Sequence, residues 1–529
     1  MLFAGATVVD GTGAPGFVAD VLVRGDRIAQ IGSLGSSGDD VVDAHGLVLA
    51  PGFIDMHAHS DLAVLNDHAH LAKISQGVTT EVVGQDGLGY SPVDDELATA
   101  VRRQIAGWNG NPSGGEVGWR TVGEYLDRVD AGTATNVAAL VPQGNLRALT
   151  VGQDDIPPTS AQLDRMRGLL RDGLAGGAVG MSSGLTYTPG MYADTAELEA
   201  LCEVVAEAGG YYAPHTRSYG AGALAAYAEM LGIARRTGCA VHLTHATLNF
   251  AGNRDTAPAF LELVDEALAD GVDVSLDTYP YLPGATTLAA LLPSWFAAGG
   301  PDAMLARLRA DDDRDALTHA FEVTGSDGFH GERADWSAIQ VSGVENADLR
   351  PYVGLTIAQI AAREDRPVLD VVLGLLLDDA LATSVLMHVG HEANVQAIMR
   401  HRVHSGGSDG ILVGDRPHPR AWGTFPRYLA RYVRELGVLS LEECVRHLTG
   451  TPARRLGLTD RGLVREGFAA DLVLFDPASV RDAATFDEPR RPAEGIVCVV
   501  VNGQVAMRDG LRTPALAGRA LRPLDRNGS

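Results

Sequence analysis

Lysine is nearly missing: Lys73 is the only one in 529 residues, and arginine supplies the rest of the positive charge. Cysteine is scarce too. Cys202, Cys239, Cys444 and Cys498 lie far apart with no Cys-x-x-Cys among them, which argues against a zinc ribbon or a disulfide framework and leaves them as core residues. No apolar run reaches the ~18 residues a membrane helix needs, and no basic stretch followed by an apolar one opens the chain, so neither a membrane span nor a signal peptide is expected and the cytoplasm is the expected location. Positive charge as a whole is in deficit. A formal net charge of -25 opposes nucleic acid and anionic membrane surfaces as partners, and leaves a small molecule as the expected one. If that molecule is an anion, a metal or an arginine must supply the positive charge locally.

A hydrophobic content of 46% with 21% charged residues is that of a globular protein. From about 51 to 455, short β-like apolar runs alternate with helix-like periodic ones, the pattern of a parallel α/β barrel. The first run, Leu47 to Ile54, reads as one buried strand leading to His57 and His59. Later runs end at Thr79 to Asp86, Val137 to Gln143, Val179 to Ser183, Tyr211 to His215, Val241 to His245, Val272 to Tyr279 and Val403 to Asp409. Eight such ends suffice for a closed (β/α)8 TIM barrel. The long gap before the last holds helical residues, Asp302 to Phe321, and a polar run. Residues of about 285–350 are therefore expected to form an insertion over the barrel mouth after strand 7. Short strands with Gly-rich turns fill residues 1–50, and a strand and hairpin follow 456, including Gly467 to Phe475 and Ile496 to Val501 with Asn502-Gly503. Arg526 to Ser529 are expected to be disordered.

Active sites of such barrels lie at the C-terminal ends of the strands, so a polar residue ending an apolar run is a site candidate by position. His57 and His59, spaced two apart on extended backbone, point to one face and can offer a metal two ligands. Asp86 ends the second run, His215 the fifth, His245 the sixth and Asp409 the eighth. Together they make the set of imidazole and carboxylate donors expected of a hydrolytic zinc site.

Further runs narrow the match. Ser182 to Ala193, His215-Thr216-Arg217-Ser218, Asp277-Thr278-Tyr279-Pro280-Tyr281, and Ser408-Asp409-Gly410 through Pro419-Arg420-Ala421-Trp422-Gly423 to Arg427 resemble the D-aminoacylase branch of the amidohydrolase superfamily. These are metal-dependent N-acyl-D-amino-acid deacylases. The likeness runs nearly end to end, through Leu292-Pro293-Ser294-Trp295 and Ala470-Asp471-Leu472. It implies a distorted (β/α)8 barrel, with residues 1–50 and 456–529 meeting in a composite β-sandwich domain. It also implies one tightly held Zn2+ on His215, His245 and Asp86, and a second, weaker site on His57 and His59. Asp409 would be the proton-transfer residue and Tyr187 the phenol facing the oxyanion. Arg420, assisted by Tyr279 and with Arg217 as a further candidate, would read a substrate carboxylate. Trp422 and Trp295 would shape an apolar pocket.

Three departures bear on that transfer. The family's Gly-Asn-Cys-Gly is here Gly84-Gln85-Asp86-Gly87, so a hard carboxylate replaces a thiolate ligand. The family's His-x-Lys is His245-Ala246-Thr247, which removes a cation that helps hold the substrate carboxylate. Gln143 stands where a histidine is common, with an effect expected only behind the ligands. The lysine-carbamate bridge of many binuclear relatives is also excluded, since Lys73 lies ahead of the second strand. Other readings stay open: a cyclic-amide hydrolase of the hydantoinase or dihydroorotase kind, a related amidohydrolase whose substrate lacks an α-carboxylate, and a non-catalytic metal-binding homologue.

Overall fold

The computed structural model describes residues 1–35, 40–112 and 117–523. Arg526 to Ser529 lie outside the described residues. Its centre is an eight-stranded parallel sheet whose strands neighbour one another in chain order. They are Phe53–Asp55, Val78–Val83, Asn136–Pro142, Gly180–Gly184, Tyr211–His215, Ala240–Leu243, Val274–Thr278 and His404–Gly406. The first and eighth close the barrel through few contacts: Met56 N donates to Gly406 O at 3.2 Å, Asp409 N donates to His57 O at 2.8 Å, and Ala58 bridges Gly410. The outer helices are fixed by capping chemistry. Thr121 with Glu124, and Thr159 with Gln162, form capping boxes that start Val122–Asp130 and Ser160–Ala175. These helices turn Leu126, Met166 and Leu170 onto Val137 and Val141 in the largest core.

The run Leu47 to Ile54, expected as one strand, is two strands in two sheets. Val48–Pro51 pairs with Leu472–Phe475 and Leu2–Val8 outside the barrel, whereas Phe53–Asp55 pairs with Val78–Val83 inside it. Gly52 is the crossing point. A Cβ there would sit 2.2 Å from the Thr79 side chain, so only glycine lets the chain pass so close.

Both ends of the chain join one nine-stranded sheet. Its period-two alternation serves two cores: Leu472 and Leu474 pack with Phe3, Val21 and Leu49 inside the sheet, while Val473 and Phe475 face Phe53, Phe425 and Tyr428 beside the barrel. Each such buried side chain stabilises the junction by about 1.5–3 kcal/mol. Between the seventh and eighth barrel strands, an insertion builds its own core on Phe296, Phe321, Phe329, Val341 and Val385. Its antiparallel sheet runs Gly284–Thr287, Ser384–Met387, Ile339–Gly343 in space. The middle strand comes last in sequence, so the folded unit reaches Met387, past the expected limit near 350. No helix among the described residues is long and apolar enough to cross a membrane.

Candidate metal centre and active site

At the C-terminal mouth of the barrel the six expected donors converge in two groups that share one member. His57, His59, Asp86 and Asp409 form one, and Asp86, His215 and His245 the other, with all donor atoms of a group within 4.8 Å. Asp86 stands between them: its Oδ1 lies 3.5 Å from His57 Nε2 and 3.3 Å from His245 Nε2, its Oδ2 3.5 Å from His59 Nε2 and 3.6 Å from His215 Nδ1. His215 Nδ1 is 3.0 Å from His245 Nε2, and His59 Nε2 is 3.2 Å from Asp409 Oδ1. All are buried, yet both ring nitrogens of His57 and Oδ1 of Asp86 have no hydrogen-bond partner. Buried orphans of this kind are what a cation satisfies, so the donor set fits a metal. Asp86, His245 and Asp409 also hold left-handed backbone, at φ 56°, 32° and 47°. For non-glycine residues this is strained, and such strain clusters at functional sites.

The charges agree. Burial alone would push the Asp86 carboxyl up, but His57, His245 and His215 outweigh it and hold it well below its ordinary value. Burial pushes His59 down, but Asp409 and Asp86 more than reverse this and raise it to about 10. The carboxylates thus demand positive charge at this spot.

Behind the six donors stand further buried polar residues. Asp277 Oδ1 accepts from His245 N at 2.9 Å, while its Oδ2 meets His242 Nε2 at 2.9 Å and lies 3.9 Å from His57 Nδ1. Gln143 Nε2 donates to Glu197 Oε1 at 2.8 Å. Lys73 is fully buried with Nζ at 2.6 Å from Asp55 Oδ2, so it forms an ion pair under the barrel seam.

The substrate-side candidates divide. Arg420 is completely buried, with Nη2 2.9 Å from Asp409 Oδ1 and its guanidinium carbon 4.4 Å from the Tyr279 ring centre. Burial raises the Asp409 carboxyl, but Arg420 and His59 outweigh it and keep it ionised far below its usual range. Tyr187 packs 4.8 Å from the His215 ring, and its Oη lies 3.2 Å from Thr286 Oγ1. Burial and the Asp86 charge push this phenol up, so it stays neutral and can donate. Arg217 is not brought into the site: it pairs with Glu229 at 2.9 Å and donates to the Met191 and Ala193 carbonyls. Neither Trp422 nor Trp295 lines the two cavities at the mouth, and Trp295 is 41% exposed.

Those cavities meet at Tyr187. One, of about 580 Å³ with its open mouth, is bordered by His215, His245, Thr247, Tyr279, His330 and Asp409. The other, of about 610 Å³ with its open mouth, is mainly apolar, with Trp108, Met191, Leu292, Met304 and Leu381 among its walls. Sequence reasoning missed several of these. Trp108 stacks on His59 at 5.7 Å and meets Tyr187 edge-on at 4.6 Å. Tyr219 lies edge-on to His215 and His245, and His330 hangs from the insertion 5.5 Å from Tyr219. Burial and the two nearby histidines push His330 down to about 3, so it faces the cavity as a neutral ring.

The amidohydrolase family model matches residues 40–507. The chain is 35% identical to D-aminoacylase of Alcaligenes xylosoxydans xylosoxydans over 98% of its own length and 97% of that protein's. It is 36% identical to N-acyl-D-glutamate deacylase of the same organism, covering 95% and 92%. The crystal structure of N-acyl-D-glutamate deacylase from Bordetella bronchiseptica, complexed with zinc and a phosphonate mimic of the tetrahedral intermediate, superposes with a TM-score of 0.84 at 34% identity, covering 98% and 99%. By its match along most of its length, by its barrel and by an identity of about a third that extends over nearly the whole chain, the protein belongs to the amidohydrolase family, in the D-aminoacylase branch.

Proposed function

We propose that the protein hydrolyses the amide bond of N-acyl-D-amino acids, releasing a carboxylic acid and the free D-amino acid. The names of the relatives support the substrate class. The observation that carries the reading is the buried Arg420 guanidinium beside Asp409, a cation with unpartnered N–H groups next to the carboxylate read as the proton-transfer group.

His215, His245 and Asp86 would hold a tight zinc, and His57, His59 and Asp409 with the shared Asp86 a second, weaker one. Zinc in such a site supplies Lewis acidity, which acidifies water and polarises an amide carbonyl. Asp409 takes the proton from the attacking water on a carboxylate oxygen and returns it to the departing amine nitrogen. Arg420, stacked on Tyr279, binds the substrate carboxylate with its free N–H groups and so sets the amide over the donors. Tyr187 donates its hydroxyl proton in a hydrogen bond to the oxygen that gains charge as the carbonyl is attacked. Thr247, in place of the family lysine, leaves Arg420 as the main cation for this carboxylate. Arg217 takes no substrate contact in this reading, because it is held by Glu229, and Trp422 is assigned none.

Free-amine release from N-acetyl-D-amino acids tests the reading. Release that stops on chelation and returns with zinc supports it; no release from zinc-loaded protein contradicts it.

A further inference from the structure

The seam where the barrel closes is its least supported part. The strands that meet there, Phe53–Asp55 and His404–Gly406, have three residues each, yet the loops that follow them carry His57, His59 and Asp409. Few backbone hydrogen bonds join them, so side chains must set how these loops sit relative to one another.

We propose that Lys73 is a positioning residue for the active site, its ammonium locking the His57–His59 loop to the Asp409 loop across the seam. This rests on the reading of His57, His59 and Asp409 as one working group. Lys73 Nζ donates to Asp55 Oδ2 at 2.6 Å and to Ser408 Oγ at 3.0 Å, and lies 3.5 Å from Glu81 Oε2. Those three acceptors sit on the first, eighth and second strands or their ends. Each passes the constraint on. Asp55 Oδ1 accepts from Ser408 N at 2.7 Å and from His57 N at 3.2 Å. Ser408 Oγ donates to His57 O at 3.2 Å and accepts from Gly410 N at 3.0 Å, bracketing Asp409. Glu81 Oε2 accepts from Ser60 Oγ at 2.5 Å, directly after His59.

The chemistry explains the residue type. An ammonium carries three donors around one atom, and here it faces three acceptors; a flat guanidinium fork does not suit that arrangement. The one lysine of an arginine-rich chain stands where geometry calls for lysine.

The test uses the zinc-reconstituted full-length protein and two variants. Lys73→Met removes the ammonium. Ser408→Ala keeps the buried Lys73–Asp55–Glu81 ion pairs but removes the hydroxyl through which Lys73 reaches His57 O and Gly410 N. Each is read by kcat and KM for amide hydrolysis, by zinc retained against a chelator, and by Tm. Lys73→Met is expected to lower kcat about a hundredfold with KM little changed, the cost of a displacement of about 1 Å in reacting groups. It is also expected to release metal from the His57–His59–Asp409 group at lower chelator concentration. Ser408→Ala is expected to change kcat and metal retention in the same direction by less, at near wild-type Tm, and the double variant to be no slower than Lys73→Met. Wild-type kcat and zinc retention in Ser408→Ala, or fully multiplicative losses in the double variant, overturn the proposal. Metal retention is measurable without turnover, so a wrong substrate assignment is distinguishable from a wrong role for Lys73.

Discussion

Arg420 Nη2 lies 2.9 Å from Asp409 Oδ1, both side chains buried, and none of the guanidinium N–H groups makes an aligned hydrogen bond. The cation keeps the carboxylate ionised, while its own buried N–H groups are left without an aligned hydrogen-bond partner. One residue thereby serves both ends of the proposed reaction, preparing the proton acceptor and receiving the substrate anion.

Replacing Arg420 with Met removes a paired set of charge-assisted hydrogen bonds, about 3 kcal/mol, and lowers kcat/KM for N-acyl amino acids by about two orders of magnitude. For a substrate amidated at its carboxylate, steady-state kinetics should show a much smaller loss. Equal losses on both substrates contradict carboxylate recognition by Arg420.

Asp409→Asn keeps the shape of the side chain and removes proton transfer. A fall in kcat of about a thousandfold is expected, with zinc still bound to His215, His245 and Asp86 by metal analysis. Undiminished turnover would remove Asp409 from the reaction.

Asp86 joins both donor groups, so Asp86→Asn should weaken zinc retention by roughly a hundredfold or more. Asp86→Cys, which installs the thiolate usual in the family, should tighten zinc relative to harder ions such as Mn2+. Competitive metal loading followed by elemental analysis measures both.

Glu81 contributes to acid sensitivity. Burial would raise its carboxyl, but His70 and Lys73 outweigh this and hold it far below its ordinary value. Its stabilisation is therefore fully present above the unfolded value of about 4.3 and is lost as pH falls through the depressed folded value. Thermal unfolding between about pH 5 and pH 2 should show a steep loss of Tm in the wild type. In Glu81→Gln that slope should be shallower, with Tm at neutral pH also reduced.

Much of the architecture was legible because several barrel strands, such as Asn136–Pro142, are largely apolar runs followed by a polar residue. Tyr211–His215 was read at its full extent, and Val241 to His245 differs by little from the strand Ala240–Leu243. The division of Leu47 to Ile54 at Gly52 was not legible, because an apolar run looks the same whether it serves one sheet or two. The six donor candidates, which converge at the barrel mouth, were picked out by position and spacing. Their backbone conformation was hidden, since Asp86, His245 and Asp409 adopt left-handed φ without the glycine that normally signals it. Trp108, Tyr219 and His330 come from a helix and loops whose approach to the site depends on tertiary packing, and no local pattern marks them. Lys73 stood out by its rarity, but its partners Asp55, Glu81 and Ser408 meet it only once the barrel closes.

Giving the zinc-reconstituted protein a pool of N-acetyl-D-amino acids and, separately, the matching L pool, and measuring free amine, tests whether it is a D-specific deacylase. Release from the D pool with little from the L pool is the predicted result. Preference for the L pool, or no release from either while metal is bound, would contradict the account.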